Sequence, residues 1–384
     1  MTLDIKNRTL TFQSAYKLLL RTAKRCVNTL NTDPTNLALF CQIMSDIQEN
    51  QNSRIHIIGR GRSGLIGRII GESLKNINYS VSYLGDYLAQ PISKGDVIIA
   101  ITGSGWTKYT NSAIEEGVRK KAKILTFTGN IDSKAAKLAD ATIQIPIGFK
   151  PNNNVQQFSI RKAPLSPLGA IFELTTFIIG IGVMNGIYTG SCMYGFDQGT
   201  NIILREAEIC LDALQKESNL LKIMKNLSSY FSQSEKKVFL TGSGINRLIA
   251  NIIAIRLQNL MINVYPMEDW RFRQEGDLLF SISGSSSPTS TVNLMKIAKE
   301  SEMNIIGVSS FPQSEFAKLS DIFLFIQGRA KSVDSNGITS PKAGIYLPIF
   351  EYLAALTLES CVAQMAVNLG VSGDLADFRR VNVE

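Results

Sequence analysis

The chain has very little histidine, one residue (His56) in 384, and its five cysteines never form a CxxC pair. Cys26, Cys41, Cys192, Cys210 and Cys361 are odd in number and widely spaced. That pattern indicates neither a disulfide framework nor a zinc site, and it predicts reduced, mostly buried thiols and no bound metal. Long basic runs are also missing. The formal charge of +8 is scattered, and the densest basic stretch, Arg119 to Lys123, follows Glu115 and Glu116 on a predicted helix, so no nucleic-acid partner is expected. The N-terminus, MTLDIKNRTLTFQSAYKLLLRTAKRC, lacks an apolar signal core, which predicts a cytoplasmic protein. One long apolar stretch exists, Ala170 to Gly190, but it contains Glu173 and several Thr and Gly residues. It reads as a buried helix and not as a membrane span.

What the chain does have is repetition. RIHIIGRGRSGLIGRII, from Arg54, returns as KVFLTGSGINRLIANII, from Lys237, with the leading glycines 183 residues apart (242 − 59). KGDVIIAITGSGWT around Asp96 returns as EGDLLFSISGSSSP around Asp277, 181 residues on (277 − 96), and KLAD ending at Asp140 returns as KLSD ending at Asp321. Near-constant spacing implies an internal duplication. The length suits two domains of under 200 residues, and 45% hydrophobic with 19% charged residues is an ordinary globular composition. The expected division is 1–197 and 198–384, with YGFDQGT, near Gly195 to Asn201, read as the turn between the halves.

Each half reads as alternating helices and strands. AYKLLLRTAKRCVNTL and DPTNLALFCQIMSDI carry apolar residues at helical spacing, the second after an Asp-Pro start signal. IHIIG, VSYL, DVIIAIT, KILTFTG and ATIQIPI read as strands, with helical segments between them, and DVIIAIT is continuous enough for a strand covered on both faces. That order predicts a parallel sheet with right-handed crossovers, so the fold class is α/β with two doubly wound parallel-sheet domains. The sole histidine lies inside the first strand, where it reads as a packed residue and not as a catalyst.

Two loops of the first half follow predicted strands, the place where open α/β sheets bind ligands. GRGRSG, Gly59 to Gly64, combines glycines for close backbone approach with the Ser63 hydroxyl and the free N–H groups of a helix start. TGSGWT adds the hydroxyls of Thr102, Ser104 and Thr107. Neutral hydroxyls and backbone N–H groups can hold a phosphate monoester without a metal. Helix capping alone would explain one such hydroxyl, and there are three.

GRGRSGLIGR, ITGSGWT and the later PLGAIFELTTFI together resemble the sugar isomerase (SIS) domain, and most of all the 6-phospho-3-hexuloisomerases, whose patterns run G-x-G-R-S-G, S-G-S-G-x-T and P-x-G-x-x-F-E. The resemblance implies a flavodoxin-like fold and a phosphosugar ligand. It implies that Gly61, Arg62, Ser63, Thr102, Gly103, Ser104 and Thr107 form a phosphate site, with Ser283, Ser285 and Ser286 as its counterpart in the second half. Glu173 matches the family's catalytic glutamate, and Glu351 of YLPIFE stands at the corresponding place in the second half. A glutamate suits the reaction, because aldose–ketose isomerisation needs one base to carry a proton between adjacent carbons. The reading from residues alone leaves a buried, ion-paired structural glutamate as the alternative at Glu173. Single-domain relatives build their sites between subunits, so the two halves are expected to pack as a pseudo-dimer, with a homodimer of whole chains beyond that.

The copies also depart from the pattern. Pro288 replaces the position of Thr107, and Ile245 and Asn246 stand where the first half has Arg62 and Ser63. The hexuloisomerases end in a pattern like R-H-A-N-L-E, whereas this chain ends RRVNVE, with Arg380 in place of the histidine and Gln198 the nearest match in the first half. Arg380, Lys162 and Lys342 are candidate cations to polarise a carbonyl. The expected function is a phosphosugar isomerase working without a cofactor. The alternatives are a non-catalytic phosphosugar-binding regulator and an amino sugar phosphate deaminase or isomerase.

Overall fold

All six residues of Val97–Thr102 are buried, as a strand covered on both faces requires. Alternate side chains leave the pleat in opposite directions. Val97, Ile99 and Ile101 enter a large core, while Ile98 and Ala100 enter a smaller one with Ile114, Ile124 and Ala135. The same alternation divides Leu278, Phe280 and Ile282 from Leu279 in the second half.

The computed structural model describes residues 5–49, 53–145, 170–231, 235–328 and 347–369. The first half runs α1 (Ile5–Thr32), α2 (Thr35–Glu49), β1 (Ile55–Gly59), α3 (Gly61–Asn76), β2 (Val81–Tyr83), β3 (Val97–Thr102), α4 (Lys108–Arg119), β4 (Lys123–Thr128), α5 (Lys134–Lys137), β5 (Ala141–Gln144) and α6 (Ala170–Tyr188). The second runs α7 (Cys192–Leu214), α8 (Asn219–Ser229), β6 (Val238–Gly242), α9 (Ile245–Asn259), β7 (Val264–Tyr265), β8 (Leu278–Ser283), α10 (Thr289–Glu300), β9 (Asn304–Ser309), α11 (Glu315–Leu319), β10 (Ile322–Phe325) and α12 (Ile349–Asn368). The described strands form two five-stranded sheets, β2-β1-β3-β4-β5 and β7-β6-β8-β9-β10. All pairings within them are parallel. This is the doubly wound flavodoxin-like order, made twice.

The repeated aspartates hold the sheets together. Asp140 and Asp321, each just before a strand, accept the amides of Ile124 and Ile305 at 2.8 Å. Asp96 and Asp277 likewise accept the amides of Arg54 and Lys237 at 2.9 Å. Each carboxylate accepts a backbone donor at the N-terminal end of an interior strand.

The large core is continuous through both halves. Helices α3 and α9 pack on each other, and α1 lies against both α6 and α12. The Phe177 and Tyr352 rings of α6 and α12 meet edge-on with centroids 5.5 Å apart, the Phe12 amide donates to Gln364 Oε1 at 3.2 Å, and the Tyr16 hydroxyl donates to the Ala207 carbonyl at 2.9 Å. Helix α6 is long and apolar enough to cross a membrane, yet it is buried along its length in this core.

Two expectations change. YGFDQGT is not a turn but part of α7. Its glycines serve a helix crossing: a Cβ on Gly195 would lie 2.6 Å from the Asn185 carbonyl oxygen, and one on Gly199 would lie 3.0 Å from Asn185 Cβ. Glycine is unfavourable in a helix interior by about 1 kcal/mol relative to Ala, and here it lets α6 and α7 touch. The thiols are also not all reduced. Cys41 of α2 and Cys192 of α7 form a disulfide with Cα atoms 6.1 Å apart, 151 residues apart in sequence, while Cys26, Cys210 and Cys361 are free and buried. Widely separated cysteines gave no sign of that pairing, because helix packing alone brings them together.

Candidate functional site

Strands β1 and β3 are hydrogen-bonded neighbours, with Gly59 opposite Ile101. The chain leaves β1 toward β2 on one side and leaves β3 toward β4 on the other, so a crevice opens at their C-terminal ends. Both sequence-predicted loops of the first half sit there. A Cβ on Gly64 would be 2.7 Å from the Gly59 carbonyl oxygen, so glycine permits the close join of strand to helix. Gly61 takes a left-handed φ of 55° at the start of α3. The Arg60 side chain makes no capping hydrogen bond, which leaves the first-turn N–H groups of α3 without a side-chain acceptor.

In the second loop the Thr102 hydroxyl accepts the Gly105 amide at 3.2 Å, and Ser104 Oγ accepts the Trp106 amide at 3.2 Å. Thr102 and Thr107 hydroxyls lie 3.5 Å apart. The Gly103 carbonyl accepts the amide of Gly129, anchoring the loop to the end of β4. Gly105, at φ 72°, has Ser133 Oγ where its Cβ would be, at 2.0 Å. Thr107 holds the capping position of α4, but its hydroxyl does not cap the helix. Capping therefore does not account for Thr107.

Glu173 comes to this crevice from the first turn of α6. Ser63 Oγ donates to Glu173 Oε1 at 3.2 Å, Oε2 has no hydrogen-bond partner, and the residue is 7% exposed. Burial pushes its carboxyl above the ordinary carboxylate range, and the Arg62 guanidinium opposes that push. Ser63, expected as a phosphate ligand, thus touches the glutamate. At the mouth, the Arg60 guanidinium lies over the Tyr109 ring, 5.0 Å from its centroid, a contact that sequence reading missed because residues 49 apart signal nothing to each other.

The second half repeats the plan with different atoms. Asn246 Nδ2 donates to Glu351 Oε1 at 3.4 Å, while Asn246 Oδ1 lacks a partner. Glu351 is 1% exposed. Ser283 Oγ is buried and unpartnered, and Ser285 and Ser287 bond to each other at 2.9 Å. Ser286 stands where the first half has Gly105. It takes a left-handed φ of 55° and turns its hydroxyl to Ser309 at the end of β9.

His56 is the second residue of β1, fully buried, with Nε2 2.9 Å from Asp96 Oδ2. Asp96 immediately precedes β3, so this pair sits at the opposite end of the sheet from the two loops. It is a packed strand residue, as expected. Gln198 is exposed on α7, and Lys162, Lys342 and Arg380 lie outside the described residues.

The SIS domain pattern matches residues 49–174 and 230–342. The 3-hexulose-6-phosphate isomerase of Mycobacterium gastri is 31% identical over 156 residues, covering 41% of this chain and 73% of that protein. That of Methylomonas aminofaciens is 34% identical over 123 residues, covering 32% and 64%. Among solved structures, tagatose-6-phosphate ketose/aldose isomerase from Escherichia coli has a TM-score of 0.63 at 13% identity, covering 95% of each chain. The C-terminal domain of glucosamine-fructose-6-phosphate aminotransferase from Francisella tularensis has 0.60 at 12%, covering 94% of this chain and 96% of that one. Both likenesses extend over nearly the whole chain, in keeping with two copies of one α/β unit. The chain belongs to the SIS domain family, with a match in each half.

Proposed function

We propose that this chain isomerises a phosphorylated sugar between aldose and ketose forms, with Glu173 as the base. The observation that carries the proposal is the buried Glu173 carboxyl, bonded to Ser63 at 3.2 Å beside two loops of glycine, serine and threonine. A phosphate group would take the first-turn amides of α3 and the hydroxyls of Thr102, Ser104 and Thr107. The sugar's reacting carbons would then face Glu173. The carboxylate removes a proton from the carbon next to the carbonyl, the C–H electron pair becomes the enediolate double bond, and the carbonyl oxygen takes the charge. The same carboxyl returns the proton to the neighbouring carbon, while a second proton passes between the two oxygens. A carboxyl held above its ordinary range suits both duties, since it must accept and then release a proton near neutral pH.

We read the boundary between the halves as lying between α6 and α7, a few residues before the expected 197/198, because α7 runs through that point, and a second site built on Asn246, Glu351, Ser283 and Ser285 belongs to the same reading. A regulator that binds without chemistry is the second reading, favoured by Arg380 standing where the hexuloisomerases have histidine. The test is incubation with a panel of phosphorylated ketoses and aldoses in deuterated water. Deuterium should enter the sugar with the parent protein, and Glu173→Gln should slow its entry by roughly 10²- to 10⁴-fold while retaining binding. Binding with neither interconversion of the sugars nor deuterium entry in the parent would sink the isomerase and leave the regulator.

A further inference from the structure

The two copies differ where α9 and α12 of the second half meet. Arg256, in the last turn of α9, is 1% exposed, and its Nε donates to Glu359 Oε2 of α12 at 2.9 Å. Glu359 is 2% exposed, and Arg256 Nη2 is buried with no hydrogen-bond partner. The repeat assigns Ser73 to the place of Arg256 (256 − 183), and the offset of Glu351 from Glu173 assigns Ile181 to that of Glu359 (359 − 178). Ser73 merely bonds the Ile69 carbonyl of its own helix. An ion pair this deep is costly to bury, and an apolar pair of similar size would usually serve stability as well or better. A structural role alone therefore explains it poorly.

Its location suggests another role. Helix α9 packs on α3, whose first turn carries Arg62 and Ser63, and α12 packs on α6, whose first turn carries Glu173. The Phe177–Tyr352 ring contact joins α6 to α12 one turn beyond Glu173, and Arg256 and Glu359 lie within electrostatic reach of the Glu173 carboxyl. The pseudo-two-fold relation of the halves thus sets the second half's ion pair against the first half's glutamate. By the repeat offsets the counterparts of Arg256 and Glu359 are Ser73 and Ile181, neither of which carries a charge.

Of the other charged groups on the helices around α6, Lys17, Arg21, Lys24 and Arg25 of α1 and Arg68, Glu72 and Lys75 of α3 are exposed or half-buried. Tyr16 of α1 and Tyr352 of α12 are kept neutral by burial, and the same burial pushes Cys210 of α7 up to about 11. Asp46 of α2 and Asp197, Arg205, Glu208 and Asp212 of α7 are exposed, and Glu206 is half-buried against Gln327.

We propose that Arg256 and Glu359 are positioning residues for the first-half site, supplied by the second half to set the charge state of Glu173. The inference rests on the isomerase reading for its kinetic arm alone. Removing Glu359 takes a negative neighbour from Glu173 and leaves Arg256 cationic, so Glu173 ionises at lower pH. Removing Arg256 takes a positive neighbour from Glu173, so the Glu173 midpoint does not fall.

The experiment is a ¹³C-glutamate NMR titration of the full chain, with the Glu173 resonance assigned by its loss in Glu173→Gln. It is run for the parent, Glu359→Gln, Arg256→Met and Arg256→Lys, each checked for folding by circular dichroism. The expected result is a Glu173 midpoint shifted to lower pH in Glu359→Gln, unshifted or raised in Arg256→Met, and near parental in Arg256→Lys. Where a phosphosugar is turned over, the acidic limb of kcat/KM should move in the same directions. An unmoved Glu173 in Glu359→Gln, or a downward shift in Arg256→Met, overturns the inference. Absence of turnover defeats the isomerase reading alone, because the titration still reads Glu173.

Discussion

Ser63 Oγ and Glu173 Oε1 meet at 3.2 Å across 110 residues of sequence, and their counterparts Asn246 and Glu351 meet at 3.4 Å across 105. A hydroxyl and an amide therefore do the same geometric work in the two halves. The Ser63 bond favours the charged carboxylate, against the burial that disfavours it. Ser63→Ala should push the Glu173 carboxyl still higher, moving the acidic limb of the pH–rate profile to higher pH and lowering kcat/KM about tenfold at neutral pH. Steady-state kinetics across pH checks both effects.

Glu173 also weighs on stability. Its folded-state carboxyl titrates above that of the unfolded chain, so the native state holds the extra proton between those two values and stability falls as pH rises through that window. Glu173→Gln removes the burden. Thermal melts at pH 7 should show the variant more stable by about 1 kcal/mol. The gain should vanish as pH drops below the ordinary carboxylate range, where both states are protonated.

Gly105 cannot become alanine without disturbance, because its φ is 72° and a Cβ would fall 2.0 Å from Ser133 Oγ. Gly105→Ala should cost about 1–3 kcal/mol in urea unfolding. It should also weaken binding of inorganic phosphate, measured by calorimetry, since the loop that carries Thr102 and Thr107 must shift.

The repeated aspartates should affect stability without affecting phosphate binding. Asp321→Ala strands the Ile305 amide that it now accepts at 2.8 Å, a loss of about 1–2 kcal/mol. Asp321 sits at the start of β10, away from the ligand loops at the other strand ends, so phosphate affinity should not change. A parallel loss of affinity would show that the two ends of the sheet are coupled.

Strands such as Val97–Thr102 and Leu278–Ser283 were legible because both their faces are buried, which turns a strand into an unbroken apolar run. Their echo at nearly constant spacing made the duplicate architecture legible too. Glu173 was legible because a carboxylate in an apolar helix is conspicuous. The contacts it makes were not. Arg256 and Glu359 sit 103 residues apart, each in an otherwise ordinary helical stretch, and only the packing of α9 against α12 joins them. Gly195 and Gly199 misled for a related reason, since glycine at a close helix crossing and glycine in a turn look the same in one dimension. The Cys41–Cys192 bridge was hidden likewise.

Covalent fusion of the two halves has an evolutionary consequence. In an assembly of two identical chains, every substitution appears in both sites at once, and a change that helps one surface must be tolerated by its mirror image. Here the continuous core keeps the halves docked while each half of the chain varies alone, so one half carries Arg256 where the other carries Ser73. Division of labour between twin sites is open to this chain in a way that it is closed to a symmetric dimer.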